Sequence, residues 1–311
     1  MHADEVLLAG GTTNVGRVTR VGDTVRRPRR PTSEATEALL DHLEHIGFSG
    51  APRYLGSDER GREVLSYIPG EAPIAPCPAW AYTDATLVSV AKLLRRYHDA
   101  VSSFDPSGYN WPHPIPERFR QGLVSHNDPN LDNIVFDGGC AVALIDFDLA
   151  SPGSAAWDLA CAARLWVPLR DQRDAPAGPD RSLARLALFA DAYGASKDQR
   201  AGLVEAIVEC HRWCYDVVAA AVAQGHPTFG SQWMNGGRER TQRTHRRLLE
   251  SLPEMRIALG LVDADGDRAR ATQPELSIRG PQLARTGIDG ERQATGSNRI
   301  QRSTPTHLHG T

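Results

Sequence analysis

The chain has 311 residues, of which 41% are apolar, and its formal net charge is −3. At about 150 residues per domain, this length suggests two domains or one large bilobal domain, and the composition excludes a globally disordered or collagen-like chain. The weak charge gives no reason to expect a nucleic-acid-binding protein. The longest apolar runs are far shorter than the ~20 residues that span a bilayer, and no secretory signal is visible, so we expect a cytoplasmic protein without membrane association.

The first 68 residues alternate short apolar runs with turns, which predicts a small antiparallel sheet that carries one helix. Strands are predicted near residues 6–8, 17–21, 24–27, 52–55 and 62–68. Leu39, Leu40 and Leu43 recur at helical spacing between residues 32 and 46, ahead of Gly47. The proline-rich stretch that follows predicts a boundary after residue 68, and hence an N-terminal lobe over residues 1–68.

The remainder of the chain as far as residue 260 is predicted to be mainly helical. Helices are predicted at residues 83–102, 157–167, 182–193, 200–224 and 237–252, and a loop with a hairpin at residues 122–150. We therefore predict a second lobe over residues 69–260. From Leu261 onward the chain has no aromatic residue and no hydrophobic periodicity, so residues 261–311 are expected to form a disordered tail.

A short stretch in the middle of the chain carries the candidate chemistry. Two apolar runs, residues 134–136 and 140–145, are joined by Asp-Gly-Gly, which is typical of a β-hairpin. Asn133 precedes the first strand and Asp146 follows the second, so we expect both at the open end of the hairpin. A carboxylate beside an amide oxygen suits a hard divalent ion. Asp128, in the loop that leads to Asn133, is expected to lie within reach of whatever that ion holds.

The same stretch has the spacing of a phosphoryl-transfer loop. His126, Asp128 and Asn133 fit the pattern H-x-D-x-x-x-x-N, in which the Asp accepts the substrate hydroxyl proton and the Asn binds magnesium. His126 is accordingly a candidate catalytic residue, although it could instead be a structural hydrogen-bonding residue of the loop. The sequence Asp146-Phe147-Asp148 stands where Asp-Phe-Gly would be, and Asp146 would be the second metal ligand.

Residues 128–133 also imitate the start of a calcium-binding loop. Such a loop needs glycine at its sixth position and glutamate at its twelfth. Asn133 and Gly139 occupy these positions, so the sequence disfavours a calcium site.

The catalytic loop, the strand end at residues 145–148 and the sequence Trp157-Asp158-Leu159-Ala160 resemble the aminoglycoside phosphotransferase branch of the protein-kinase-like fold, which includes choline and homoserine kinases. The resemblance covers roughly residues 6–255. It implies an α+β, bilobal fold with a small N-terminal antiparallel sheet and a larger, mainly helical C-terminal lobe. It also implies Mg²⁺ and ATP or GTP as cofactors. The acceptor it implies is a small polar molecule with a hydroxyl group, either an aminoglycoside-like compound or a metabolite. It leaves the oligomeric state open.

By position, the resemblance makes Asp128 the general base and Asn133 and Asp146 the magnesium ligands, while Asp158 would brace the catalytic loop. It assigns nucleotide binding to the glycine-rich loop, the third strand, the first helix and the hinge. These residues are Gly10, Gly11, Thr12, Arg26, Glu37, Ser66, Tyr67 and Ile68.

Arg26 would contact the α- and β-phosphates and pair with Glu37, at a position where the family has lysine. The first lysine of the chain is Lys92, so a basic phosphate contact in the N-terminal region must come from arginine. Alternatively, Arg26 is a solvated strand residue and the glycine-rich segment is an ordinary turn.

Two functions fit this sequence. The first is a small-molecule kinase, for which Asp191, Tyr193, Glu205, Glu209 and Trp233 are candidate acceptor contacts, because a cationic acceptor would favour carboxylates and an aromatic face. The second is a kinase-shaped binding or immunity protein without phosphoryl transfer, because trifolitoxin immunity proteins resemble this subgroup. A metal-dependent phosphoesterase is disfavoured, since the stretch lacks further histidine ligands for two metals.

Overall fold

The computed structural model describes residues 5–8, 16–74, 76–112, 115–170, 179–225 and 227–262. The predicted tail, apart from its first two residues, lies outside this part of the chain. So do Gly10, Gly11 and Thr12, the predicted nucleotide loop. Among the described residues, none of the helices combines the length and apolar character that a membrane span requires.

Five antiparallel strands form the N-terminal sheet in the order β1-β2-β3-β5-β4. Their bounds are β1 Val6–Leu7, β2 Thr19–Val21, β3 Thr24–Pro28, β4 Tyr54–Ser57 and β5 Arg62–Ser66. In the pairing of β3 with β5, Val25 lies opposite Leu65 and Arg27 lies opposite Glu63. Because side chains alternate along a strand, Val25 and Arg27 share the inner face of β3, and Arg26 lies on the other face.

Helix α1, Ser33–His45, packs its apolar stripe against the helical part of the molecule. Leu39, Leu40 and Leu43 are all almost fully buried in the core, as their spacing predicts. The helix is followed by Gly47 in the left-handed region, at φ +78°. One sheet and one helix thus form the predicted N-terminal lobe, whose boundary at residue 68 remains a prediction.

The segment after β5 returns to the hairpin through a close backbone contact. Glu71 and Phe136 exchange backbone hydrogen bonds of 2.8 Å in both directions. At Gly70, with φ +143°, an added Cβ would lie 2.5 Å from the Phe136 carbonyl oxygen. This position therefore requires glycine. The hydrogen bonds between Glu71 and Phe136 hold the hairpin against the segment that leaves the sheet.

Two small antiparallel sheets frame the catalytic stretch. Strand β6, Leu123–Ser125, pairs with β9, Ser151–Gly153. Strand β7, Ile134–Asp137, pairs with β8, Cys140–Leu144, and forms the predicted hairpin. The turn at Gly138 has φ +55°, which a glycine adopts without strain.

The remainder is helical, as the sequence predicts. The helices are α2 Asp84–Val101, α3 Ala155–Trp166, α4 Pro179–Tyr193, α5 Lys197–Ala223, α6 Pro227–Gln232, α7 Arg238–Glu250 and α8 Leu252–Ala258. Helix α3 packs along α5, α2 along α4, and α7 along α5. The helix predicted over residues 237–252 corresponds to α7, which ends at Glu250, and a separate short helix, α8, begins at Leu252. Pro253, which lacks a backbone N–H, lies in the first turn of α8, where prolines are tolerated.

Candidate active site

The open end of the β7–β8 hairpin brings Asn133 and Asp146 together. The Ile145 N–H donates to the Asn133 carbonyl at 2.9 Å, which continues the strand pairing to the residues just outside it. Asp146 then leaves the strand in the left-handed region, at φ +60°. Non-glycine residues in this region are uncommon and are concentrated at functional sites. Asn133 and Asp146 line the same cavity, as the hairpin pattern predicts.

Asp128 is hydrogen-bonded directly to Asn133. The Asn133 side-chain amide donates to the Asp128 carboxylate and to the Asp128 carbonyl, both at 2.9 Å. The Asn130 amide donates to the other carboxylate oxygen. Because the Asn133 NH₂ group faces Asp128, its amide oxygen is the atom that remains to bind a cation. Burial raises the pKa of Asp128 to about 6, against the opposing effect of the Arg164 guanidinium.

Asp158 holds the start of the catalytic loop. Its carboxylate, fully buried on α3, accepts the backbone N–H groups of His126 and Asn127, each at 2.9 Å. His98 on α2 donates to the same carboxylate at 3.0 Å. Burial alone would raise the pKa of Asp158, but the hydrogen bond from His98 and its other partners lower it. Asp158 therefore fixes the loop backbone and does not reach the cavity.

His126 lies behind the site. Its ring is fully buried, and Nε2 donates to the Ile145 carbonyl at 3.0 Å. Nδ1 accepts the Asp128 N–H at 3.3 Å, which is consistent with a neutral imidazole protonated on Nε2. Burial lowers the pKa of His126, so it is uncharged at neutral pH. The structure thus gives His126 contacts that join the loop to the end of β8, and does not bring its ring to the cavity.

A cavity of about 340 Å³ lies between the N-terminal sheet and the hairpin. The predicted hinge residues Ser66, Tyr67 and Ile68 line it, together with the polar residues Arg27, Asp132, Asn133 and Asp146. The rest of its wall is largely apolar: Leu8, Val18, Val25, Pro52, Leu65, Gly70, Ala72, Ile74, Val135 and Ile145. The cavity therefore has a largely apolar wall and an end lined by charged side chains.

The buried cation at the charged end is Arg27. Its Nε lies 2.5 Å from the Glu63 carboxylate and its Nη1 lies 2.8 Å from the Asp148 carboxylate. The same Nη1 is 3.5 Å from Asp146. Arg30 contacts the other oxygen of Asp148 at 2.5 Å. Burial and then the neighbouring Asp148 raise the pKa of Asp146 to about 8, although Arg27 opposes this shift.

The predicted Arg26–Glu37 pair does not form. Arg26 donates to Thr24 Oγ1 at 2.6 Å and lies 3.8 Å from Asp58. Glu37 is instead bound by Arg29, at 2.6 Å. The physical reason is the face of β3, since adjacent side chains on a strand point in opposite directions. The alternation of side chains along β3 could have predicted that Arg27, and not Arg26, faces inward, because Arg27 stands two residues after the inward-facing Val25.

Two comparisons with known protein sequences identify relatives of this chain. Residues 109–203 match the profile described as the phosphotransferase enzyme family. The trifolitoxin immunity protein of Rhizobium leguminosarum bv. trifolii is 36% identical over 214 residues, which cover 66% of this chain and 80% of that protein.

Two solved structures share the fold at low sequence identity. A choline/ethanolamine kinase family protein from Mesorhizobium loti superposes with a TM-score of 0.54 at 19% identity, and the match covers 83% of this chain and 91% of that one. The gentamicin–APH(2″)-IIa complex gives 0.51 at 14% identity, with 82% and 93% covered. The predicted resemblance and fold class are confirmed, and the chain belongs to the phosphotransferase enzyme family.

Proposed function

We propose that the protein transfers the γ-phosphoryl group of ATP or GTP, with Mg²⁺, to a hydroxyl group of a small acceptor. One observation carries this proposal: Asn133 hydrogen-bonds the Asp128 carboxylate at 2.9 Å and lines the same cavity as Asp146. A base for the acceptor hydroxyl and two oxygen ligands for a metal thus lie side by side. This is the arrangement that phosphoryl transfer requires.

The residues present fit a magnesium ion. Asn133 offers its amide oxygen, and Asp146 offers a carboxylate. Burial and the neighbouring Asp148 raise the pKa of Asp146, so a bound cation would stabilise its ionised form. When bound, the metal would neutralise charge on the nucleotide phosphates. Arg27 lines the same end of the cavity and is fixed by Glu63 and Asp148. It would supply a second, immobile positive charge.

In the proposed reaction, Asp128 accepts the proton of the acceptor hydroxyl. The acceptor oxygen forms a bond to the γ-phosphorus as the bond between that phosphorus and the β–γ bridging oxygen breaks, and a nucleoside diphosphate leaves. Asn130 and Asn133 hold the Asp128 carboxylate in one orientation throughout. Catalysis thus consists of positioning and charge stabilisation, without a covalent enzyme intermediate.

The test is a search for product. The protein would be incubated with Mg-ATP or Mg-GTP and a library of hydroxylated metabolites and antibiotics, and phosphorylated compounds would be detected by mass spectrometry. We expect a product with the natural sequence and none with Asp128→Asn. Equal product from both proteins would contradict the assignment of Asp128.

A second function is favoured by the immunity protein that is 36% identical to this chain. In that case the fold would bind a toxin or a nucleotide and confer protection without transferring phosphate. Expression of both proteins in cells challenged with trifolitoxin separates the two functions. Protection that persists in the Asp128→Asn variant supports binding alone, and protection lost with that variant supports phosphoryl transfer.

A further inference from the structure

A second cavity, of about 550 Å³, lies among α3, α5 and α7 beside the catalytic loop. Arg164 joins the two regions, because it lines this cavity and its Nη2 donates to the Asn130 side chain at 3.1 Å. Asn130 in turn donates to Asp128. A ligand in this cavity would therefore be connected to the proposed base through Arg164 and Asn130.

The charge of this cavity is positive. Arg164, Arg170 and Arg240 line it, and none of the described lining residues is acidic. The Nε of Arg164 is buried and has no hydrogen-bond partner among the described residues. A buried donor without a partner costs free energy unless a ligand or water satisfies it. Arg164 therefore has a donor to offer to an acceptor atom of a ligand.

His211 lines the same cavity without adding a positive charge to it. Its Nε2 donates to the Thr241 carbonyl at 2.9 Å. Burial lowers the pKa of His211 to about 4, against the effect of the hydrogen bond to Thr241, and the guanidinium groups of Arg164 and Arg170 lower it further. At neutral pH the positive charge of the cavity therefore comes from its arginines.

Other lining residues of this cavity are apolar or aromatic. The rings of Tyr215 and Trp233 lie 5.0 Å apart between centroids, and Ile207 and Val218 also line the cavity. Such a wall packs against the carbon skeleton of a ligand, while the arginines bind its charged group. The remaining lining residues are Ala160, Leu165, Leu169, Cys214, Gly237, Thr241, Thr244 and Leu248.

Two of the three acidic residues predicted as acceptor contacts pair with arginines outside this cavity, and the third, Glu205, does not line it. Glu209 contacts Arg118 at 3.3 Å, and Asp191 contacts Arg200 at 2.6 Å. Of the five predicted contacts, Trp233 is the one that lines this cavity. A polyamine or a quaternary ammonium compound would therefore meet arginines here instead of the carboxylates it needs.

We propose that the acceptor bound in this cavity is an anionic hydroxylated molecule, carrying a carboxylate or a phosphate, and not a cationic one. The proposal rests on the proposed function, in that the cavity serves the base Asp128. The charge of the acceptor separates anionic from cationic hydroxylated molecules, and the family resemblance leaves both open.

The test compares four probes of similar size: glucose, gluconate, glucose 6-phosphate and glucosamine. Binding to the full chain would be measured by titration calorimetry, with and without Mg-ATP. We expect gluconate or glucose 6-phosphate to bind at least about tenfold more tightly than glucose, and glucosamine to bind most weakly; the two anions separate carboxylate from phosphate recognition. Tighter binding of glucosamine, equal binding of all four, or no binding of either anion would overturn the proposal.

Charge reversal gives a matched control. Arg240 and Arg246 are both exposed residues of α7, but Arg240 lines the cavity and Arg246 does not. We expect Arg240→Glu to weaken binding of the anionic probe at least about tenfold and Arg246→Glu to leave it within about twofold. An equal effect of the two substitutions would contradict the site.

The two proposals fail in different ways. If the anion binds but is never phosphorylated, the proposed phosphoryl transfer fails and the anion site stands. If glucosamine is phosphorylated in preference to gluconate and glucose 6-phosphate, phosphoryl transfer stands and the anion site fails.

Discussion

Two buried charged side chains, Asp128 in the catalytic loop and Arg27 on β3, have different kinds of partners. Asp128 receives hydrogen bonds from two neutral amides, Asn130 and Asn133, and its pKa is raised to about 6. Arg27 is instead enclosed by carboxylates, one of them Glu63 at 2.5 Å. The first arrangement keeps a carboxylate available as a base, at a cost in stability. The second neutralises its charges and holds the sheet against the hairpin.

The largest expected effect is the loss of the base. We expect Asp128→Asn to lower kcat by about 10²- to 10⁴-fold, the usual contribution of a positioned general base, with little change in the KM for nucleotide. Steady-state assays of product formation would measure it. Asp137→Asn, at the exposed tip of the hairpin, is the control and should stay within about twofold. Similar losses in both variants would remove the special role of Asp128.

Adjacent arginines on β3 test the second region. Arg27→Met removes the buried cation that contacts both Glu63 and Asp148, and breaking such a buried pair costs about 3–5 kcal/mol of unfolding free energy. Arg26→Met removes the pair with Asp58, which is longer, at 3.8 Å, and more exposed to solvent. We expect this substitution to lower the free energy of unfolding by about 1 kcal/mol or less. Urea unfolding of both variants measures the difference. Equal destabilisation would mean that the inner face of β3 has been assigned incorrectly.

The sequence predicts these two regions unequally. Asn133 and Asp146 can be placed together from the sequence because a short hairpin fixes its own register and the positions of its flanking residues. The partners of Arg27 lie 36 and 121 residues away, so choosing between Arg26 and Arg27 requires the inner face of β3. The second cavity is harder still, because Arg164, His211 and Arg240 meet only when α3, α5 and α7 pack.

A stability measurement sharpens the contrast between the regions. Because burial raises the pKa of Asp128 in the folded protein, its negative charge opposes folding at pH 7. We expect Asp128→Asn to increase the free energy of unfolding by about 1–3 kcal/mol at pH 7. The gain should shrink as the pH falls from about 6 to about 4, because the natural carboxyl group then becomes protonated in the folded state. A destabilised variant at pH 7 would contradict this account.

The smallest effect is on the pH profile. A base with a pKa of about 6 is protonated below that pH, so kcat/KM should fall about tenfold per pH unit below 6 and level off above it. Rates measured between pH 5 and 8 at fixed Mg-nucleotide concentration would show this. A profile that is flat through pH 6 would exclude Asp128 as the titrating base.

The central claim is that Asn133 and Asp146 hold a metal–nucleotide complex beside Asp128. Its most direct test is titration calorimetry of ATP and GTP, with Mg²⁺ and with a chelator, on the natural protein and on Asp128→Asn and Asp146→Asn. We expect Mg²⁺-dependent binding to the natural protein and to Asp128→Asn, and affinity at least about tenfold weaker for Asp146→Asn. Unchanged binding by Asp146→Asn, or no Mg-nucleotide binding by the natural protein, would contradict the claim.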